Sequence, residues 1–163
     1  MRRGESMLPE FDQEMATTRR LLERVPSEHM AWRPHPKSFP LGHLVQLICR
    51  MPGWITNALT DDSLDLAAGK GYSFETLATL LQEFDGNVNQ ARTVLAETSD
   101  AHLDTEWSLR MGDRTLFTSL RGAVVRQTIS HLVHHRGQLS VYLRLLDVPL
   151  PSIYGPTADE RTF

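Results

Sequence analysis

A chain of 163 residues, 40% hydrophobic and 23% charged, has the length and composition of one globular domain with a substantial core, which excludes a disordered or low-complexity class. Lys and Arg total 17 against 20 Asp and Glu, a net charge of −3 with no basic cluster, so nucleic acid is not expected as a partner. Cys49 is the single cysteine, which excludes an intrachain disulfide and a Cys-rich zinc site.

No apolar run approaches the roughly 18 residues of a membrane span, and no signal-peptide pattern follows Met1. A cytoplasmic protein without a membrane partner is therefore expected. Residues 1–7 lack an apolar period and read as a flexible N-terminus, leaving 8–163 as a single domain.

From Leu8 to Val25, Phe11, Met15, Thr18, Leu22 and Val25 recur at helical spacing, and Pro26 stops this first helix. Trp32-Arg33-Pro34-His35-Pro36 cannot continue a helix and forms a connection, with Trp32 packed over the end of the helices. Ser38 is placed to cap a second helix with Pro40 in its first turn and Leu41, Leu44, Ile48, Ile55 and Leu59 as its stripe. Pro52-Gly53 should kink or interrupt it. Cys49 falls within its apolar period and reads as core filling.

Asp61-Asp62 and Gly69-Lys70-Gly71 mark the next loop. Ser73 begins a third helix, with the stripe Phe74, Leu77, Leu81, Phe84, Val88, Ala91 and Leu95. Trp107 to Arg114 reads as a loop or short hairpin around Gly112-Asp113. A long proline-free helix follows from Ser119 to Leu146, and the proline-rich tail after Val148 runs back along the surface. Four helical patterns without a strand series give an all-α fold, a four-helix bundle with long connections.

The last helix carries the chemistry. His131 and His135 stand at i and i+4 on one face, beside Thr128, Gln138 and Tyr142, and two imidazoles so spaced can hold one edge of a metal ion. His134 points roughly 100° away from either neighbouring position and is the weaker candidate. Leu132 occupies the place of the glutamate in H-E-x-x-H, so zincin-type proteolysis is not supported. A packed polar layer of histidines is the competing reading of the same residues.

Trp32 to Ser38, Leu41-Gly42, Pro52-Gly53-Trp54, the His131 to Leu139 block with its His-His-Arg-Gly-Gln run, and Ser152-Ile153-Tyr154-Gly155-Pro156 together resemble the DinB family over nearly the whole chain. The resemblance implies a four-helix bundle, often a homodimer, with a divalent metal, zinc or nickel, held by one histidine from the second helix and two from the last. It also implies either a metal-dependent transferase using a low-molecular-weight thiol or a hydrolase, acting on a small-molecule substrate. His131 and His135 match the two last-helix ligands. The usual second-helix position falls at Leu47, whereas His43 lies one turn earlier on the same face, so the expected histidine triad is His43, His131 and His135.

Two functions follow. In the first, the metal acidifies a water or thiol or polarises a carbonyl; Gln138 and Tyr142 are then the nearest side chains able to orient a ligand, and no carboxylate stands out as the base. In the second, Leu47 marks a degenerate site and the bundle is a non-catalytic metal- or small-ligand-binding protein.

Overall fold

The structure is a computed structural model that describes residues 1–69 and 71–161, so Lys70 of the expected loop and the last two residues lie outside it. Four long helices, α1 (Arg3–Leu22), α2 (Leu41–Thr60), α3 (Leu77–Glu97) and α5 (Arg121–Leu145), carry most of the chain, and a single turn of helix, α4 (Asp100–Leu103), precedes a hairpin. α2 lies between α3 and α5, and α1 packs on those same two neighbours. The core between them includes Phe11, Leu22, Leu44, Ile48, Phe84, Leu95, Leu132 and Leu139. No helix among the described residues is long and apolar enough to cross a membrane.

The mostly helical expectation holds, but the plain four-helix bundle does not describe the whole fold. β1 (Ser63–Asp65), β2 (Glu106–Met111) and β3 (Arg114–Leu120) form a sheet in the order β1-β2-β3, with β1 parallel to β2 and β2 antiparallel to β3. The hairpin turns at Gly112, whose φ of +58° lies in the left-handed region that glycine adopts without strain. Trp107 from β2 packs with Ala58 of α2 and Val124 of α5, so the sheet covers one end of the α2–α5 pair.

Helix ends account for the other departures. α1 starts at Arg3, five residues before the expected Leu8, because the residues read as a fraying terminus have partners: Glu5 accepts from the Arg2 N–H at 3.0 Å, Arg2 donates to the Glu97 carbonyl at 2.9 Å, and Asp100 accepts from the Arg3 N–H at 2.7 Å. Gly4 is buried so closely against α3 that a Cβ there would stand 2.2 Å from the Leu95 carbonyl oxygen.

Ser38 does not cap α2. The connection folds back instead, and the Trp32 carbonyl accepts from the Leu41 N–H and the Met30 carbonyl from the Gly42 N–H, both at 2.8 Å. Pro52 does not interrupt α2 either. Asn87 of α3 donates to the Cys49 carbonyl at 3.0 Å, one residue past the carbonyl that Pro52 leaves without its ladder donor. α3 begins at Leu77, with Thr76 accepting from the Thr79 N–H at 3.1 Å, so Phe74 falls outside the helix and is 84% exposed; Leu80 takes a buried place on the stripe.

Arg136 of α5 is only 1% exposed. Its Nη1 lies 2.6 Å from Glu14 Oε2 of α1 and donates to the Glu14 carbonyl at 3.2 Å, while the tail residue Tyr154 donates its hydroxyl to Glu14 Oε1 at 2.9 Å and sets its ring 5.0 Å from the guanidinium. Burial, and then the bond to Glu14, push the Tyr154 phenol above its usual range.

Two substitutions test this packing. Arg136→Met leaves the Glu14 carboxylate without its cation and is expected to lower unfolding free energy in urea by about 3 to 5 kcal/mol, with much of it recovered in the Glu14→Gln, Arg136→Met double variant. Gly4→Ala is expected to cost about 1 to 3 kcal/mol by forcing α1 off α3, read as a lower melting temperature; an unchanged melt would mean the two helices are not in close contact there.

Candidate functional site

His131 and His135 come together as their spacing predicts, with Nε2 atoms 2.9 Å apart and ring centroids 4.7 Å apart. His135 is buried, and its Nδ1 stands 2.8 Å from Gln138 Oε1. A carbonyl oxygen only accepts, so His135 carries its proton on Nδ1 and presents a lone pair at Nε2. Neutral His131 then donates its Nε2–H to His135, and its own Nδ1 is left as an acceptor. Burial, and then the proximity of His135 and His134, hold the His131 imidazole below its ordinary 6.5.

His43 is placed elsewhere. Its ring lies 4.2 Å from Phe39 and stacks on Tyr72 at 4.8 Å, in an aromatic cluster on the α2 surface, where burial lowers its basicity. The Trp54–His131 contact at 5.8 Å and the Tyr142 hydroxyl donating to the Phe39 carbonyl at 3.2 Å set α2 and α5 antiparallel. In that register Leu47 lies at about the level of His135, and His43 is one turn, about 5.4 Å, further along.

The described residues contain no group of three or more His, Cys, Asp or Glu side chains arranged to hold a metal. Two imidazoles at 2.9 Å suit two adjacent ligands of one ion, which stand roughly 3 Å apart when each is about 2.1 Å from it at right angles. The third donor is missing, so the residues present do not make the centre that the resemblance implies. Tyr142 is tied to the Phe39 backbone, which leaves Gln138 as the expected orienting group that reaches the pair. His134 is exposed, edge-on to His135 at 5.1 Å.

Beside the pair lies a cavity of about 600 Å³ between α2, α5 and the sheet. Its walls include Trp54, Leu64, Trp107, Leu109, Phe117 and Val124, and its polar side is formed by α5 residues that end at His131. The sequence reading missed this space. Its only local trace is the alternation of Trp107 and Leu109 with Ser108 and Arg110, which puts the two apolar side chains on one face of β2.

A family model described as the DinB family matches residues 1–162. The chain belongs to the DinB family. A DinB-like protein of Bacillus subtilis, YjoA, has a crystal structure that superposes with a TM-score of 0.71 at 20% identity, covering 96% of this chain and 99% of that one. A DinB-like protein of Bacillus cereus ATCC 10987 gives a TM-score of 0.71 at 20% identity, covering 92% and 97%. At these identities the likeness speaks to the fold. By sequence, the chain is 25% identical over 161 residues to the Bacillus subtilis protein described as uncharacterized protein YrdA, covering 94% of this chain and 89% of that one.

Within this DinB scaffold, Leu47→His is expected to supply the missing donor: elemental analysis after dialysis against a weak chelator should find near-equimolar zinc or nickel in the variant and far less in the wild type. Equal metal in both would mean that Leu47 does not face the pair. In an NMR titration, the His131 ring is expected to protonate below pH 6.5, and His135→Ala, which removes a neighbour that holds its basicity down, should move its midpoint up.

Proposed function

We propose that this protein is a small-molecule-binding member of the DinB family, holding its ligand in the cavity between α2, α5 and the sheet with His131 at the ligand's polar end. The observation that carries this reading is the cavity itself. Its volume of about 600 Å³ falls within the range of roughly 300 to 1,000 Å³ typical of ligand sites, and it adjoins an ordered hydrogen-bond chain, Gln138–His135–His131.

The chain fixes what His131 can offer. Gln138 sets the tautomer of His135, His135 consumes the Nε2–H of His131, and the depressed basicity of His131 keeps it uncharged near neutral pH. A neutral imidazole beside an apolar space accepts a hydrogen bond from a ligand hydroxyl or N–H without placing a charge against it. A divalent-metal-dependent transferase or hydrolase would need a third protein donor, where Leu47 offers none.

Ligand-observed NMR with a set of small fragments, together with elemental analysis of untagged protein, tests the proposal. Fragments are expected to bind the wild type and to be lost in Leu109→Trp, whose indole fills the cavity, while metal stays well below one equivalent. A full equivalent of metal that disappears in both His131→Ala and His135→Ala would overturn it in favour of the metal-dependent enzyme.

A further inference from the structure

The cavity's walls narrow what it can hold, and the argument rests on the small-ligand reading above. Two indoles, Trp54 and Trp107, and the phenyl ring of Phe117 are set around it with Leu64, Leu109 and Val124. Flat aromatic surfaces in such a proportion match a ring system, because stacked and edge-on ring pairs gain attraction beyond the area they bury. Phe117 and Leu66 also contribute to the walls and are 38% and 41% exposed, so unfilled apolar surface reaches the cavity mouth.

The polar complement is small and uncharged. It consists of Gln127, Thr128, Ser130 and His131, and none of the described residues that line the cavity carries a formal charge. The Thr128 hydroxyl already donates to the Val124 carbonyl at 2.8 Å, so toward a ligand it can only accept. His131 spends its Nε2–H on His135, which leaves Nδ1 as its acceptor. Two nearby ions are engaged elsewhere: Arg121 donates to the Ala58 and Asp61 carbonyls, and Asp65 accepts from the Gly112 and Ala67 N–H groups. A phosphate, carboxylate or ammonium pressed against the apolar walls would shed part of its hydration with no opposite charge among the described lining residues to meet it.

We infer that the ligand is an uncharged, ring-bearing organic molecule carrying a hydrogen-bond donor, such as a phenol, seated between Trp54, Trp107 and Phe117 with its donor toward Thr128 and His131. The class excludes nucleotides, sugar phosphates and amino acids as the principal ligand, since each brings a charge that the walls do not match.

Three probes that share one ring system separate charge from shape: 2-naphthol, 2-naphthoate and 2-naphthylmethylammonium. Binding is read by calorimetry and by the fluorescence of the cavity's two tryptophans. The naphthol is expected to bind at least about tenfold more tightly than either ion, a difference of about 1.4 kcal/mol. Phe117→Arg, at the exposed mouth, is expected to fold normally and to raise naphthoate affinity relative to the wild type. Charged probes binding as tightly as the naphthol would overturn the ligand class and leave the cavity a binding site. Failure of all three probes, together with no fragment loss in Leu109→Trp, would overturn both readings. A self-associated protein that binds no naphthol and becomes monomeric in Phe117→Arg would place a second copy of the chain over the mouth and overturn the small ligand.

Discussion

The ion pair between Arg136 and Glu14 fixes the orientation that everything else relies on. A guanidinium taken almost wholly out of water requires a partner, and the one it has comes from α1, with a hydroxyl from the tail donating to the carboxylate's other oxygen. Because Arg136 follows His135 directly, holding Arg136 against α1 fixes the rotation of α5 about its own axis. Residues roughly 100° to 140° around the helix, His135 and His131 among them, then turn away from α1. The pair therefore locates the histidines without touching them, and Tyr154 ties the tail to the same point.

At the other end of α5, Arg121 performs a comparable task for the cavity. Its guanidinium donates to the Ala58 and Asp61 carbonyls at 2.7 and 2.6 Å, covering the C-terminal carbonyls of α2 that lack helical donors. Trp107 donates its indole N–H to Asn57 at 3.2 Å, which orients the ring over the cavity. Charges nearer the surface also join helices: Arg19 pairs with Asp85 and Arg92 with Asp12, each from a distance of 2.8 Å, although such part-exposed pairs contribute little.

The periodicity of apolar residues made the four long helices legible, and the i, i+4 spacing placed His131 and His135 together because neighbouring turns of one helix are a local matter. The place of His43 was less legible, for a reason of the same kind. A helical wheel gives the angle around α2 but not the height along it, and His43 stacks on Tyr72 instead of reaching the level of His135. Phe74 shared the period of α3, yet the hydroxyl of Thr76 sets the helix start after it. The sheet was half visible: the hairpin has alternation and a turn glycine, whereas Ser63–Asp65 is three residues that become a strand only through a partner far along the chain. Arg136 gave no sign of burial, since charged residues are mostly found outside.

The cavity has no local precursor. Its walls come from α2 and the segment after it, from the hairpin, and from the first half of α5, and the parallel pairing of β1 with β2 joins two of these across the whole length of α3. No fragment of the chain can form the space in advance. Occupancy is therefore linked to the global folding equilibrium, and any molecule that fills the cavity draws the entire domain toward the native state in proportion to RT ln(1 + [L]/Kd). A ligand present well above its Kd would then hold more of the chain folded than the same chain without it.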